Sequence, residues 1–512
     1  MNAPLPGLPP VLALGQPRLT AGFDLAARLD RRSHLAVHGP PAQLTETELT
    51  TLAETVTLRG RGGAGFPLAR KLRAVGLAAR RRGIRPAVVV NGCEGEPACR
   101  KDAVLLARAP HLVLDGALLA AEALDAATLV VGVTRRTAEE SVLEALAERG
   151  LTDRRGRTLR ARVVRLPERL VSGESSALLR AADGGPPLPP GRHAHASEEG
   201  LGGAPTLLSN TETFAQLALA AHLGADHYAS SGTAAEPGTL LLTVSGAVPD
   251  PRVVEAPSGV PLAHVLRSCG AGPDLQAVLT GGYHGAWLDA PTAYAAAVSR
   301  EGLASCGGSL GAGALLPLPA GTCPLGEAVR VAHWLAAESA GQCGPCRLGL
   351  PSVAGALADV VSGGGRSALE TVRQAAGAVR GRGACAHPDG AARFTLTALS
   401  AFTDDLAAHV LGGGCGRPTL GALPLPLAAG ATEGSPESGE RLAVDWTLCE
   451  GHGLCAGLLP ELVRLGPDGY PALAEAGVPT HLRGRALRAV RRCPALALRL
   501  DRELGREAGQ GN

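Results

Sequence analysis

The chain has 512 residues, of which 45% are hydrophobic and 19% charged, and its formal net charge is +2 at pH 7. This length predicts roughly three or four domains in a soluble globular protein with a sizeable core. The near-neutral charge balance, without a basic stripe, argues against nucleic acid as the main partner. The Pro-rich start lacks the basic segment of a signal peptide, and no uninterrupted apolar run is long enough to span a bilayer. We therefore expect a cytoplasmic protein without a transmembrane segment, peripheral to a membrane only through a partner.

Alternating helix and strand patterns predict an α/β sandwich over residues 45–235, after an irregular, Pro-rich segment at 1–44. Thr45 followed by Glu48 is a capping pattern, which predicts a helix that runs to about residue 58. The remaining predicted elements are strands at 87–90, 128–133 and 160–166, helices at 105–124 and 139–149, and further helices that begin near Ser172 and Asn210.

The pattern changes at residue 236, where short strands punctuated by Gly and Pro begin. These strands, with one helix at 262–268, predict a β-grasp-like domain over 236–320. Helical spacing over 325–416 predicts a helical bundle, and a Pro-, Ala-, Gly- and Ser-rich linker follows at 417–440. A compact unit at 441–502 and a tail at 503–512 complete the predicted organisation.

A glycine-rich stretch at 58–67, LRGRGGAGFP, is the first candidate binding site. Its glycines allow positive φ and a close approach to a ligand, and its amides, with two arginines, suit a phosphate. Gly60, Gly62 and Gly65 also match the dinucleotide pattern G-x-G-x-x-G. That pattern should follow a strand, however, and here a helix precedes it, which disfavours the dinucleotide interpretation. A plain glycine-rich turn is the alternative.

Two further features lie close to this stretch. The chain has only two lysines, Lys71 and Lys101, among its 49 basic residues, which suggests two positions where Arg would not serve. The predicted strand at 87–90 runs into a polar, acidic turn at 91–97, NGCEGEP. Because open α/β sheets bind ligands at the carboxyl ends of their strands, this turn is a second candidate for the binding site.

The strongest local motif lies in the last unit, where Cys449 and Cys455 flank His452 and a remote Cys493 precedes a proline. Ferredoxins hold iron–sulfur clusters with C-x₂-C-x₂-C and a remote Cys-Pro. Three thiolates suit a [3Fe–4S] cluster, and His452 as a fourth ligand would allow [4Fe–4S]. A zinc site of the Cys₃His type is the alternative.

A second cysteine group consists of Cys343, Cys346 and the distant Cys385. A C-x-x-C pair after a helix is also compatible with a zinc knuckle or a redox dithiol. With another iron–sulfur motif in the same chain, we favour a cluster, although only three ligands are evident.

The order of several motifs marks a resemblance to a known family. From about residue 45 to 416 the chain resembles the NADH-oxidising, NADH-binding flavoprotein (the F subunit) of bacterial respiratory complex I and related diaphorase subunits. The last unit resembles single-cluster ferredoxins of the C-x-x-H-x-x-C type. The motifs that carry the first resemblance are RGRGGAGFP at 59–67, NGCEGEP at 91–97 followed by Lys101 and Asp102, SGESSAL at 172–178, NTET at 210–213 and ESAGQCGPCR at 338–347.

The resemblance implies a multidomain α/β protein: an FMN-binding α/β sandwich, a β-grasp soluble-ligand-binding domain, a helical iron–sulfur bundle and a C-terminal ferredoxin-like α+β domain. Phe66 and Glu96 would face the nicotinamide nucleotide, and hydride transfer at the flavin leaves no acid or base residue to assign. The residues implied at the flavin are Gly60, Arg61, Gly62, Gly63, Ala64, Lys71, Asn91, Glu94, Gly173, Glu174 and Asn210.

The cluster ligands follow in the same way. Cys343, Cys346 and Cys385 would hold a [4Fe–4S] or [3Fe–4S] cluster in the helical domain. Cys449, Cys455 and Cys493, with or without His452, would hold a [3Fe–4S] or [4Fe–4S] cluster in the ferredoxin domain.

Five positions depart from the family pattern, and so does the loop 192–195, where an aromatic platform for adenine would be expected. A nicotinamide site without its aromatic platforms would bind NADH less tightly. The departing residues are Cys93 in place of Asp, Ser175 in place of Glu, Leu170 in place of Tyr, Ala74 in place of an aromatic residue and Ala340 in place of the first cluster cysteine.

The leading hypothesis is an NAD(P)H dehydrogenase of the diaphorase type, in which FMN and iron–sulfur clusters pass electrons to a partner protein or a membrane-associated reductase. The alternative is an electron-transfer protein that does not itself oxidise NADH, because the NGCEGEP segment also resembles the flavin-fold component of the membrane-associated Rnf complex. A zinc-stabilised binding module is a third class.

Overall fold

The computed structural model describes residues 7–149, 159–191, 195–426, 440–466, 468–473, 478 and 482–502. The chain divides into two compact units, unit 1 (Met1–Leu425) and unit 2 (Pro426–Asn512). Most of the loop 192–195 and of the predicted linker, and the whole predicted tail at 503–512, lie outside the described residues.

A four-stranded, fully parallel sheet forms one half of unit 1, in the order β4–β3–β2–β5. Its strands are nearly continuous runs of apolar residues, as expected for a sheet that helices cover on both faces. The sequence predicted three of these strands with close bounds. The strands are β2 (Ala87–Gly92), β3 (Thr128–Val133), β4 (Arg160–Arg165) and β5 (Thr206–Asn210).

Helices surround this sheet, and their ends follow ordinary capping chemistry. Thr45 accepts a hydrogen bond from the Glu48 amide and Glu48 reaches back to Thr45, which is the predicted capping box. The helices are α2 (Glu46–Thr55), α3 (Leu68–Arg82), α4 (Lys101–Arg108), α5 (Pro110–Ala123), α6 (Arg136–Ala147), α7 (Ser175–Ala182), α8 (Thr211–Leu223) and α9 (Ala225–Ala229).

The structure differs from the sequence prediction of one long helix at 105–124. Two helices, α4 and α5, meet there at an angle of 92°. Pro110 is the cause: it has no N–H to donate, and it disfavours helical geometry at the preceding residue. Among the described residues no single helix is long and apolar enough to cross a membrane. Only the bent pair α4 and α5 together meets that criterion of length and composition.

The second half of unit 1 is a six-stranded mixed sheet in the order β1–β7–β6–β12–β9–β10. A two-stranded ribbon, β8–β11, and three short helices lie beside it, and α10 has the bounds that the sequence predicted. The elements are β1 (Val11–Ala13), β6 (Thr239–Val244), β7 (Arg252–Pro257), β8 (Val260–Pro261), α10 (Leu262–Ser268), β9 (Leu275–Thr280), β10 (Ala286–Asp289), α11 (Ala290–Ala295), β11 (Ala297–Val298), α12 (Arg300–Ser305) and β12 (Ala314–Pro319).

The N-terminal segment is more ordered than its irregular pattern suggests. It forms α1 (Arg31–His38) and contributes β1, which pairs in parallel with β7. The buried carboxylate of Glu255 on β7 accepts hydrogen bonds from the amides of Arg18, Leu19 and Thr20. This carboxylate therefore fastens the segment, through contacts more than 230 residues apart that no local pattern reveals.

Five helices and one π-helical turn form the last part of unit 1 and share a core with β9 and β12. The stretch 417–425, which the sequence assigned to the linker, packs on this part, and Leu423 is fully buried. Carboxylate hydrogen bonds from Glu327 to the amides of Gly421 and Ala422 hold it there. The helices are α13 (Pro324–Ala337), α14 (Leu350–Val361), α15 (Gly365–Val379), α16 (His387–Ala401) and α17 (Thr403–Val410), with the π turn at Pro345–Gly349.

Unit 2 is a small α+β unit with its own core, which includes Leu459, Val463 and Ala486. Its first and last strands pair in antiparallel fashion, and so do its two inner strands. The elements are β13 (Glu440–Val444), α18 (Leu454–Leu458), β14 (Val463–Leu465), β15 (Pro471–Leu473), α19 (Arg483–Arg492) and β16 (Leu498–Arg502).

Replacing Glu255 by Gln should destabilise unit 1 by about 3 kcal/mol, because charge-assisted bonds weaken and one amide N–H₂ then faces backbone donors. The N-terminal segment should detach first. We expect a lower thermal midpoint and faster proteolytic cleavage within residues 7–30, and Glu301→Gln at an exposed position should change neither. Unchanged cleavage in Glu255→Gln would contradict the fastening role.

Candidate functional site

The glycine-rich loop at residues 60–66, here called the cradle loop, joins α2 to α3 and closes on itself. Arg59 and Pro67 form an isolated antiparallel bridge, and the Gly60 amide donates to the Phe66 carbonyl over 2.9 Å. Gly65 has a φ of +62°, and a Cβ there would lie 2.4 Å from the Arg300 guanidinium carbon. Glycine at this position is thus required by both backbone conformation and space.

The side chain of Arg61 does not point where the sequence analysis expected. Its guanidinium is buried, paired with Glu236, and its Nε lies 3.9 Å from Glu212. The Arg61 amide donates to Thr213 over 2.9 Å. Arg61 therefore anchors the cradle loop to α8, and what it offers a phosphate is loop backbone rather than its charge.

The carboxyl edge of the parallel sheet meets the cradle loop. Asn91 at the end of β2 donates to the Gly173 carbonyl over 3.0 Å and accepts from the Cys93 amide. Asn210 at the end of β5 caps α8 through the Glu212 amide. A Cβ on Gly62 would lie 3.2 Å from the Asn210 Cβ, so loop and strand end are in close approach. The sheet edge thus gathers Asn91, Gly173, Asn210 and the cradle loop.

Two half-buried carboxylates are fixed at helix N-termini beside this edge. Glu94 accepts from the amides of Asp102 and Ala103 at 3.1 Å each, in the first turn of α4. Glu174 accepts from the Ala177 amide at 2.9 Å, in the first turn of α7. Helix N-termini stabilise negative charge, so both groups are held ionised, with lone pairs left to accept from hydroxyl groups.

Lys71 extends from α3 to the same sheet. Its Nζ donates to the Leu208 carbonyl in β5 over 2.9 Å, and burial lowers the pKa of the ammonium. One donor is used in this way, which leaves two N–H groups for an anionic ligand.

Glu96 is buried where the acidic turn meets the second half of unit 1. Its carboxylate accepts from the Tyr283 amide over 2.8 Å. Burial raises the pKa of Glu96 to about 7, against the opposing effect of that hydrogen bond. Phe66 is 47% exposed at the end of the cradle loop, so its ring is open to solvent.

A buried ionic network lies beneath the edge and includes groups that the sequence analysis did not assign to the site. The Nζ of Lys101 lies 3.0 Å from Asp102 and 2.8 Å from Glu212. Arg300 donates to the carbonyls of Gly60 and Gly63, and its own amide donates to Glu236. The NTET motif contained a signal for Glu212, whereas nothing local marks Glu236 or Arg300.

Three cysteines converge at the π turn of the helical part. Burial raises the pKa of Cys346 to about 12, and the neighbouring thiols of Cys343 and Cys385 add to this. Burial also opposes ionisation of Cys343, but hydrogen bonds from the amides of Ala384 and Cys346 outweigh it and lower its pKa. Thiols that share one site and receive amide N–H bonds fit an iron–sulfur cluster, whose sulfurs carry negative charge.

A fourth protein ligand is not evident at this site within the described residues. Ala340 stands where the family has its first cysteine. His387 follows Cys385 closely, yet its Nε2 donates to the Leu335 carbonyl over 2.8 Å and its Nδ1 accepts from His284 over 2.9 Å. Both ring nitrogens of His387 are therefore occupied.

Unit 2 brings its own three cysteines together. Burial raises the pKa of Cys455, in the first turn of α18, and the thiols of Cys449 and Cys493 raise it further. Cys493 ends α19, and its sulfur accepts from the Ala497 amide over 3.3 Å. His452 is exposed, with its Nε2 3.7 Å from a carboxylate oxygen of Glu450. The donor set again fits a cluster, with His452 on the motif's short loop.

Three family models match the chain in the order of these sites. They are the Nuo51 FMN-binding domain at residues 53–219, the NADH-ubiquinone oxidoreductase-F iron-sulfur binding region at 327–409 and a 4Fe-4S single cluster domain at 442–500. A mixed α/β multidomain fold with FMN-binding and ferredoxin domains is thereby confirmed.

Curated and solved relatives agree with these matches. A crystal structure of an NAD⁺-reducing [NiFe]-hydrogenase in its H₂-reduced state superposes with a TM-score of 0.64 and 28% identity; 71% of this chain is covered, but only 63% of the hydrogenase chain. The HndC subunit of the NADP-reducing hydrogenase of Solidesulfovibrio fructosivorans is 28% identical, over 72% of this chain and 77% of its own length.

The F subunit of NADH-quinone oxidoreductase from Streptomyces coelicolor is 32% identical over 377 residues, which are 70% of this chain and 82% of that protein. The glycine-rich cradle, the acidic turn and the cysteine pair thus occur in a chain that is similar to this F subunit over most of its length. The protein belongs to the family of NADH-quinone oxidoreductase F subunits.

Proposed function

We propose that the protein is a flavin- and iron–sulfur-dependent oxidoreductase that passes electrons from NAD(P)H through FMN and iron–sulfur clusters to a partner acceptor. The observation that carries this proposal is the convergence of the cradle loop, Asn91, Gly173 and Asn210 at the carboxyl edge of a parallel sheet. Ligands of open α/β sheets bind at that edge. The matches to an FMN-binding domain and two iron–sulfur regions support the same chemistry.

The domain roles follow from this proposal. Residues 45–235 form the FMN-binding α/β sandwich, 236–320 the β-grasp domain that binds soluble ligand, 325–416 the helical iron–sulfur domain and 441–502 the ferredoxin domain. The match to an FMN-binding domain at 53–219 supports the first of these assignments. The segment 417–425 belongs with the helical domain, since its amides are bound by Glu327.

FMN would be held by groups of three kinds. Cradle-loop amides and Lys71 suit the phosphate, Asn91 and Asn210 offer amide side chains, and Glu94 and Glu174 offer carboxylates to ribityl hydroxyls. FMN, when bound, supplies the exchange between two-electron and one-electron chemistry. The proposed contacts are Gly60, Arg61, Gly62, Gly63, Ala64, Lys71, Asn91, Glu94, Gly173, Glu174 and Asn210, with Phe66 and Glu96 on the nicotinamide side.

The two cysteine sites would hold iron–sulfur clusters. Cys343, Cys346 and Cys385 offer three thiolates, which suit [3Fe–4S], and a [4Fe–4S] cluster there needs a ligand from outside the cysteine set. Cys449, Cys455 and Cys493 offer three more, and His452 is the fourth ligand that [4Fe–4S] would require. The matched 4Fe-4S single cluster domain supports the latter form in unit 2.

The partner of such a chain is another redox protein. The named relatives are subunits of a quinone oxidoreductase and of hydrogenases. We therefore propose a redox partner protein or membrane-associated reductase, with this chain cytoplasmic and peripheral to the membrane through that partner. The comparisons do not support the Rnf alternative, because the relatives they give are quinone oxidoreductase F subunits and hydrogenase chains.

Anaerobically purified protein should show flavin bands over a broad iron–sulfur shoulder in its visible spectrum, and stoichiometric NADH should bleach both. The physical reason is that electrons reaching the flavin continue to the clusters. NADPH in a parallel titration measures the nucleotide preference. A flavin-loaded protein that stays oxidised with both nucleotides would refute the dehydrogenase function.

Lys71→Ala should weaken flavin retention about tenfold, since it removes an ammonium that is partly desolvated beside β5. Flavin content per chain, measured after gel filtration and titration with FMN, gives the change in Kd. Arg70→Ala, one residue away on the exposed side of α3, is the matched control and should bind FMN normally. Equal Kd values for the two variants would remove Lys71 from the phosphate site.

Glu96→Gln should abolish a pH dependence of flavin reduction centred near 7. Oxidation of NADH leaves a positive charge on the nicotinamide ring, and a carboxylate stabilises this charge only when it is ionised. Because the pKa of Glu96 is raised to about 7, the group is neutral below that pH and ionised above it.

The stopped-flow rate of flavin reduction should therefore rise about tenfold between pH 6 and pH 8 in the unaltered protein, equivalent to about 1.4 kcal/mol. In Glu96→Gln the rate should stay at the low-pH value, and in Glu199→Gln, an exposed control, the rise should persist. A full rise in Glu96→Gln would show that another group titrates.

A further inference from the structure

A second set of soft metal ligands lies in unit 1, outside both cysteine sites described above. Cys323, His409 and Cys415 each offer one ligand atom, and these three atoms all lie within 4.8 Å of one another. Cys323 and His409 are buried, at 2% and 6% exposure, and Cys415 is half-buried. The three residues come from the start of α13, the end of α17 and the turn that follows α17.

The distance between two of these atoms suits tetrahedral zinc. The Cys323 sulfur lies 3.4 Å from the His409 Nε2. With Zn–S of about 2.3 Å and Zn–N of about 2.0–2.1 Å, tetrahedral angles place the two ligand atoms about 3.6 Å apart. The pair therefore has the required spacing before any metal is present.

Surrounding groups orient the ligands in the way that metal sites require. The His409 Nδ1 donates to the Val361 carbonyl over 3.0 Å, which leaves the lone pair of the neutral ring on Nε2, toward the cysteines. The Cys323 sulfur accepts from the Gly326 amide over 3.2 Å at the N-terminus of α13, where the helix dipole favours a thiolate. The guanidinium of Arg417 is in contact with the Cys415 sulfur and favours its thiolate too.

We propose that Cys323, His409 and Cys415 bind a structural zinc ion that joins the N-terminus of α13 to the C-terminus of α17. Two thiolates and an imidazole are ligands that zinc prefers, and a fourth position remains for solvent. Hard cations such as Mg²⁺ and Ca²⁺ would instead require oxygen ligands.

The site has a mechanical consequence for the segment 417–425. The Cys323 amide donates to the Pro418 carbonyl over 2.8 Å, and the Tyr283 hydroxyl donates to the Pro424 carbonyl over 2.6 Å. A metal at Cys415 would fix the start of this segment, while Glu327 already fixes its middle. Zinc thus completes the attachment of unit 1's last residues, from which the chain continues to unit 2.

The test begins with zinc content. The full-length protein, purified with its iron clusters from zinc-supplemented medium, should contain about one zinc per chain by mass spectrometry of metals. Zinc absorption-edge spectra should show sulfur ligands at about 2.3 Å and nitrogen at about 2.0–2.1 Å. Cys415→Ser should lose the zinc and keep its iron and flavin. Cys306→Ser, at a half-buried cysteine in α12's C-terminal turn, should keep all three.

Absence of zinc from the unaltered protein, or equal zinc in the two variants, would overturn the proposal. So would a Cys323–Cys415 disulfide found by peptide mapping of protein that contains no zinc. Should Cys415→Ser fail to fold, alkylation of the unaltered protein decides the matter. A zinc chelator should accelerate alkylation of Cys415 at least about tenfold and leave Cys306 unchanged. An unchanged rate at Cys415 would also overturn the proposal.

Discussion

The flavin side of the molecule depends on one buried ammonium. Lys101 is 2% exposed, and removing such a charge from water costs several kcal/mol unless partners compensate. Burial alone would lower its pKa, but Asp102 and Glu212 outweigh this and hold the ammonium charged. Its compact head reaches both carboxylates and also lies 3.4 Å from the Asn210 amide oxygen, a geometry that a planar guanidinium would not reproduce.

The same interaction sets the position of the groups at the sheet edge. Asp102 accepts a hydrogen bond from the Asn210 amide, and Glu94 binds the Asp102 amide, so both edge residues depend on the start of α4. Glu212 also faces Arg61, through which the cradle loop is tied to α8. Burial, together with nearby Glu94, raises the pKa of Asp102 to about 6 against the opposing effect of Lys101. The network therefore holds more acid than base.

Local signals predicted what depends on neighbours in the sequence. The capping box at Thr45, the strand at 128–133 and the helix at 262–268 all follow from short patterns. The break at Pro110 was readable but was overridden by a continuous apolar pattern. The partners of Arg61, the fastening of the N-terminal segment by Glu255 and the Cys323–His409–Cys415 set were not readable, because their members meet only after the chain has folded.

The two cysteine sites differ at the position where a fourth cluster ligand would stand. Ala340 carries no ligand atom, and recruiting His387 would require breaking its bonds to His284 and Leu335 while leaving those partners buried. His452 in unit 2 is exposed and lies between two glycines with φ near +70°, so its ring can turn without such losses. Fourth-ligand capture is therefore easier in unit 2, and a lower iron content of the site in unit 1 follows from the same comparison.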